Sequence, residues 1–286
     1  MTQNLFKTEW ERLERDVPQP RYLRNVHVDS FESFQQSVLN PEPQFVKSVV
    51  DSLYSGDVFI LKNAFNPEFM VQLVNTMYEH GEQSESSFHK MLDGCPDFHR
   101  KITPELAKNY ALRQIKHSYY FFNWNNDPFN LFSTINKRWG IFKVLGGFCF
   151  NEYEDKSPST GIVDRLQIAQ YPSGVGELEL HSDPYLYQKV AISGIMTKRG
   201  EHFNTGGAYV LNAKNQKIDL EDQFDIGDVY IVYPTVLHGV ETIDKDQAVD
   251  WNSIRGRWFM GLYSNASDIY KNRHTCYGVE STGQSS

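Results

Sequence analysis

The sequence holds few cysteines, no long apolar run and no excess of positive charge, and each shortage closes off a class of protein. Cys95, Cys149 and Cys276 are the only three cysteines among 286 residues. They are odd in number and widely separated, without the close-pair spacing of a zinc site or redox motif. The expectation is buried thiols in a reducing compartment, hence a cytoplasmic protein. No apolar stretch approaches the roughly 18–20 residues that span a bilayer, and the N-terminal segment carries charges throughout, with no signal-peptide core. Neither a membrane span nor export is expected. Lys and Arg total 28 against 36 for Asp and Glu, a formal net charge of -8, so there is no basic field for nucleic acid or an anionic membrane. No internal repeat is evident. The one low-complexity tract is the polar stretch Ser281 to Ser286, expected to be disordered.

What is present suffices for a sizeable core: 40% of residues are hydrophobic and 14% aromatic. One domain over 1–286 is expected, as a monomer or small homo-oligomer. Residues 1–40 mix Pro18, Pro20 and many charges with scattered apolar residues, and read as an arm with little regular structure. In the lead-in over 41–160, Phe45, Val46, Val49, Val50 and Leu53 repeat at helical spacing and Gly56 stops them. Val58 to Leu61 reads as a strand, and Asn66-Pro67 opens a helix with Phe69, Met70, Leu73, Val74 and Met77 on its inner face. Thr103-Pro104 is another helix start, Tyr119 to Phe122 a strand, and Pro128 to Trp139 a further short helix.

From 161 to 265 the texture changes to short runs rich in β-branched and aromatic residues: Leu166 to Tyr171, Leu178 to Asp183, Val190 to Met196, Ala208 to Leu211, Val229 to Tyr233 and Arg255 to Tyr263. Many short strands at such intervals favour an antiparallel sandwich or jelly roll. Residues 266–286 read as a polar tail.

Chemistry concentrates in one of these runs. His181 and Asp183 are two apart in Leu178-Glu179-Leu180-His181-Ser182-Asp183-Pro184, so a strand points both to one face. A third ligand must come from a distant strand, and His238 closes the strongly β run Tyr233 to Val240. Two imidazoles and one carboxylate form the facial triad that leaves positions open on Fe(II); zinc and manganese also suit the set. The same tripeptide occurs as His27-Val28-Asp29, in a charged arm with no strand pattern or distal partner, and is not expected to bind metal.

Tyr171-Pro172, Gly176, the Leu178 to Asp183 run, Gly227 to Tyr233, His238-Gly239-Val240 and Arg255-Gly256-Arg257 together resemble the 2-oxoglutarate and Fe(II)-dependent dioxygenases. That resemblance implies an α+β fold: a double-stranded β-helix (jelly-roll, cupin-like) core with flanking N-terminal helices. It also implies Fe(II), 2-oxoglutarate and O2 as cofactor and cosubstrates, with succinate and CO2 released as an unactivated C–H bond is oxidised. His181, Asp183 and His238 would hold the metal. Arg257, or Arg255, would anchor the far carboxylate of 2-oxoglutarate, with Tyr171 contributing a hydroxyl. The chain departs from the family in a longer interval between His238 and the Arg pair, an excess around Asp244 to Asn252, and in having no Ser two residues after Arg257. Related halogenases lack the carboxylate, so Asp183 implies hydroxylation, desaturation or cyclisation. Substrate contacts would come from Arg113, His117, Tyr119, Trp124, Tyr185 and Arg199, a set suited to a small molecule carrying a carboxylate or a ring. The competing readings are a cupin-type metal oxidase without 2-oxoglutarate, which has no need of the Arg pair, and a non-catalytic jelly-roll binding module, which has no need of the triad.

Overall fold

The computed structural model describes residues 4–279. In chain order its elements are α1 (Leu5–Asp16), β1 (Val26–Ser30), α2 (Phe31–Leu39), α3 (Pro43–Leu53), β2 (Val58–Lys62), α4 (Pro67–Gln83), β3 (Phe98–Ile102), α5 (Pro104–Ala107), β4 (Gln114–Phe121), α6 (Phe132–Leu145), β5 (Ile162–Pro172), β6 (Glu177–Ser182), β7 (Ala191–Ile195), β8 (Gly207–Leu211), β9 (Lys217–Asp219), β10 (Val229–Val232), β11 (His238–Glu241), β12 (Gly256–Ala266) and β13 (Tyr277–Gly278). No helix of the described residues is long and apolar enough to cross a membrane.

The strands follow the order β1-β2-β10-β7-β12-β5-β4-β6-β11-β8-β9, with β3 added beside β4 and β13 beside β6. The path folds into two facing sheets. A large one runs from β1 to β5, and a small one holds β6, β11, β8 and β9. β4 joins them, pairing with β5 through His117 to Phe121 and with β6 through Gln114 and Ile115. Alternate residues of β5 and β12 therefore enter the space between the sheets in matched rows: Arg165 lies opposite Tyr263, Gln167 opposite Gly261, Ala169 opposite Phe259 and Tyr171 opposite Arg257. The intervening positions Leu166, Ile168 and Leu262 join the main core, together with helix residues such as Val50, Met70 and Trp139.

The helices pack where their apolar stripes direct them. On α4, Met70, Leu73, Val74 and Met77 are buried, and Gly81 gives room to the Tyr119 and His117 side chains of β4, since a Cβ there would lie 2.3 Å from the Tyr119 hydroxyl. α1 corrects the expectation of an irregular arm. Asn4 caps it by accepting the Phe6 N–H, and Phe6, Trp10 and Leu13 are buried at helical spacing, with the Trp10 indole donating to the Leu145 carbonyl at 2.7 Å. Three apolar anchors in a charged helix are too dilute a stripe to stand out in sequence. β1 and α2 likewise occupy residues assigned to the arm. The helix expected over Pro128 to Trp139 starts at Phe132 and extends to Leu145. His238 opens β11 after a turn at Pro234 to Leu237 and does not close the preceding strand. Cys95 is buried as expected and Cys276, in the polar tail, is partly exposed, whereas Cys149 departs from the expected burial and is exposed. Within the expected polar tail, β13 pairs with β6, Gly278 opposite His181; Ser281 to Ser286 fall outside the described residues.

Candidate metal and cosubstrate site

β6 and β11 are antiparallel neighbours with His181 and His238 in direct register, so the two imidazoles stand side by side, ring centroids 4.3 Å apart. The pairing shifts register between His238 and Val240, an irregularity of the kind that re-aims side chains at sites. Asp183 follows β6 immediately, held by its own N–H donating to the Pro234 carbonyl at 2.8 Å. Its two carboxylate oxygens lie 3.7 Å from His181 Nε2 and 3.6 Å from His238 Nε2, beyond hydrogen-bond range.

Each imidazole is committed at its other nitrogen. His181 Nδ1 donates to the Glu179 carbonyl at 2.9 Å and His238 Nδ1 to the Val236 carbonyl at 2.8 Å. A carbonyl can only accept, so both rings carry hydrogen at Nδ1 and turn the Nε2 lone pair toward Asp183. One potential ligand atom from each of the three residues lies within 4.8 Å of the other two, and among the described residues no other group of His, Cys, Asp and Glu converges this way. Burial, then the neighbouring His238, pushes the His181 imidazolium down to about 4. Burial would raise Asp183, but His238, His181 and Arg165 outweigh it and hold the carboxyl below its usual range. Burial would lower His238, and Asp183 reverses the sign. A neutral His181 beside an ionised carboxylate is the donor set a divalent cation takes, and the side chains fit such an ion.

Behind the triad lies a cleft of about 30 Å³ whose wall includes Tyr171, Ser193, Tyr230 and Arg257. Arg257 is 3% exposed, and its Nε donates to the buried carboxylate of Glu221, which also accepts the Ala208 N–H at 2.7 Å. Gly256 sets the start of this strand at φ +133°, where a Cβ would lie 2.3 Å from the Tyr171 carbonyl oxygen. Arg255, before β12, is exposed and absent from the cleft, so strand alternation does not carry it inward. The cleft has room for about one water. It shares Leu178, His181, Asp183, Phe259 and Tyr263 with a second cavity of about 410 Å³ on the other side of the triad.

None of the six expected substrate residues lines that larger cavity. Arg113 is exposed and paired with Glu177. His117 and Tyr119 occupy the helix-facing side of β4, where His117 bonds His99 at 2.7 Å. Trp124 stacks on Phe122 and donates to the Cys95 carbonyl, Tyr185 packs on the core beside Tyr233, and Arg199 is paired with Asp219 and Asp222. The cavity takes the opposite parity of β4, Lys116 and Tyr120, together with Arg165 and Gln167 from β5. Counting back by twos from Tyr171 would have placed Gln167 and Arg165 on the inner face.

Comparison with solved structures finds the same architecture. A prolyl-4-hydroxylase of Pseudomonas putida superposes with TM-score 0.50 at 13% identity, over 76% of this chain and 97% of that one. A full-length Neurospora crassa protein in complex with alpha-KG and 5-formyluracil gives TM-score 0.50 at 16% identity, over 84% of each chain. The chain has the fold of the 2-oxoglutarate/Fe(II) oxygenases. No family model and no curated protein sequence matches it, and at these identities the likeness speaks for the double-stranded β-helix alone. Within that fold, the triad stands on the facing strands β6 and β11 of the small sheet and Arg257 at the start of β12 in the large one.

Proposed function

We propose that the chain is a non-haem Fe(II) and 2-oxoglutarate-dependent oxygenase that oxidises an unactivated C–H bond of a small molecule, by hydroxylation, desaturation or oxidative cyclisation. The observation that carries this reading is the convergence of two imidazole Nε2 lone pairs and one carboxylate, each imidazole locked by a carbonyl at Nδ1, beside a buried arginine. The metal with its cosubstrate, when bound, supplies oxidising power as 2-oxoglutarate and O2 are converted to succinate and CO2. The protein contributes placement. His181, Asp183 and His238 would hold the ion, a donor set that leaves positions open to other ligands. Arg257 offers the guanidinium nitrogens not spent on Glu221 to the far carboxylate, with the Tyr171 and Tyr230 rings on the same wall. The cleft alone is smaller than a dicarboxylate, and the space it shares with the larger cavity past His181 and Asp183 would take the remainder. A cavity of about 410 Å³ suits a substrate of ordinary small-molecule size.

One observation favours a second reading, a metal oxidase that uses no 2-oxoglutarate: Glu221 already gives Arg257 a counterion. Anaerobic visible absorption separates the two. Fe(II) and 2-oxoglutarate together should give a metal-to-ligand charge-transfer band that neither gives alone. Iron binding with no band would select the second reading. Replacing His181 or Asp183 with Ala should abolish both iron binding and activity, and full activity in either variant would remove the site assignment.

A further inference from the structure

The larger of these two cavities is walled by cations that the fold leaves wholly or partly unpartnered. Lys116, 6% exposed on β4, has no hydrogen-bond or ion-pair partner among the described residues. Arg165, opposite Tyr263 on β5, packs its guanidinium against the Tyr120 and Tyr263 rings, centroids 5.6 and 4.9 Å away, and its Nε is buried with no partner. Arg273 pairs with Asp268 through Nε and Nη2 and leaves Nη1 buried and unsatisfied. The Arg100 guanidinium lies over two aromatic faces, Phe88 and Tyr110, and has no carboxylate partner among the described residues. Against these four, the described wall carries one carboxylate, Asp183, which a bound metal would engage.

Burying a charge without a partner is costly, and a fold that leaves buried Lys116 and the buried Arg165 Nε unpartnered on one wall leaves them a partner to receive. Resting on the oxygenase reading above, we propose that this cavity is the prime-substrate site and that Lys116 and Arg165 bind an anionic group, a carboxylate or phosphate, of a substrate whose apolar part lies against the surrounding aromatic rings. Phe98, Tyr120 and Phe122 supply that aromatic wall. Arg165, Lys116, His181 and Asp183 line the same cavity, so an anion held by the two cations lies on the substrate side of the triad and leaves the remainder of the molecule facing it. Arg273, His274, Thr275 and Cys276 line the same cavity, and the chain after them is fixed where β13 pairs with β6.

The test uses the full chain loaded with Mn(II) and saturating 2-oxoglutarate, titrated with benzoate, phenyl phosphate and benzamide by calorimetry. At least one of the two acids should bind, identifying the anion, and benzamide should bind at least tenfold more weakly. Arg165→Met and Lys116→Met should each weaken the acid roughly ten- to hundredfold, as expected for a charge-assisted hydrogen bond, with 2-oxoglutarate affinity retained. Failure of both acids, equal binding of benzamide, or unchanged acid affinity in both variants would overturn the proposal. So would displacement of the acid by 2-oxoglutarate, which would assign the anion to Arg257. Ligand-free Lys116→Met should melt no lower than the parent; a lower melting temperature would make Lys116 a structural post and also overturn it. Because Mn(II) and the acids can be titrated without 2-oxoglutarate, an absent charge-transfer band would sink the oxygenase reading while leaving this result legible.

Discussion

Two lysines of nearly equal burial, Lys143 at 5% and Lys116 at 6% exposed, stand in opposite electrostatic company. Lys143 on α6 lies 2.6 Å from Asp164, which also accepts a hydrogen bond from Ser264, and Glu154 is 3.7 Å away. Lys116 has no such partner among the described residues, and burial pushes its ammonium down from 10.5 to about 8. The contrast repeats one residue apart on β5, where Asp164 points to the paired side and Arg165 to the cavity. Charge that serves the fold is neutralised by the fold. Charge left open on the cavity wall weakens the folded state until something binds, a pattern expected where stability is given up for function.

The largest effect should come from breaking the paired member. Lys143→Met leaves Asp164 buried without its cation and should cost about 3–5 kcal/mol in denaturant melts. Asp164 already titrates upward, to about 6, through burial, with Lys143 opposing. An acid raised in the folded state takes a proton there first, so the variant's deficit should shrink as pH falls from 7 toward 5. A deficit below about 1 kcal/mol would show that the pair is not what neutralises this end of the sheet.

Arg257 and Arg255 sharpen the same contrast. Arg257→Gln should raise the 2-oxoglutarate dissociation constant on the order of 100-fold, read from the charge-transfer titration, against less than about twofold for Arg255→Gln. The reverse ranking would move the anchor out of the cleft. A smaller effect of opposite sign is expected at the unpaired lysine. Lys116→Met should stabilise the ligand-free protein by about 2 kcal/mol at pH 7. The unfolded chain binds the extra proton between pH of about 8 and 10.5, so the parent gains stability across that window and the variant's advantage should vanish there. A pH-independent difference would point to packing.

These contrasts also mark how far the sequence could be read. The β-rich half was legible because alternation and turn residues are local signals, and His181, Asp183 and His238 because a strand puts i and i+2 on one face while the fold supplies the register. That Arg257 and not Arg255 lines the cleft depends on where β12 begins, which Gly256 sets through a backbone contact with Tyr171 that only the folded chain reveals. On β4 the residues expected at the substrate differ by one residue of parity from those that line the cavity: His117 and Tyr119 look chemical but face α4, and Lys116 and Tyr120 face the cavity. Because β4 is buried on both sides, no polar alternation tells the faces apart. α1 was missed for the converse reason, a true helix whose three anchors are lost among charges.

The weakest expected effect concerns the second His-x-Asp, and pairing decides it as well. His27 lies on β1, within a strand after all, stacked on Phe59 at 4.6 Å with Nε2 2.7 Å from the fully buried Asp57, which Arg24 clamps with two further bonds of 2.7 Å. Its imidazole is therefore spent on a carboxylate, whereas the Nε2 atoms of His181 and His238 stay 3.6–3.7 Å from theirs. Asp29 is exposed. His27→Gln with Asp29→Asn should leave iron stoichiometry unchanged and cost about 0.5 kcal/mol, since Arg24 still neutralises Asp57 and His27 is itself partly solvated. Loss of iron in that double variant would mean that a histidine already engaged by a buried carboxylate can still serve a metal, and the separation of paired from unpaired charge would fail at its simplest case.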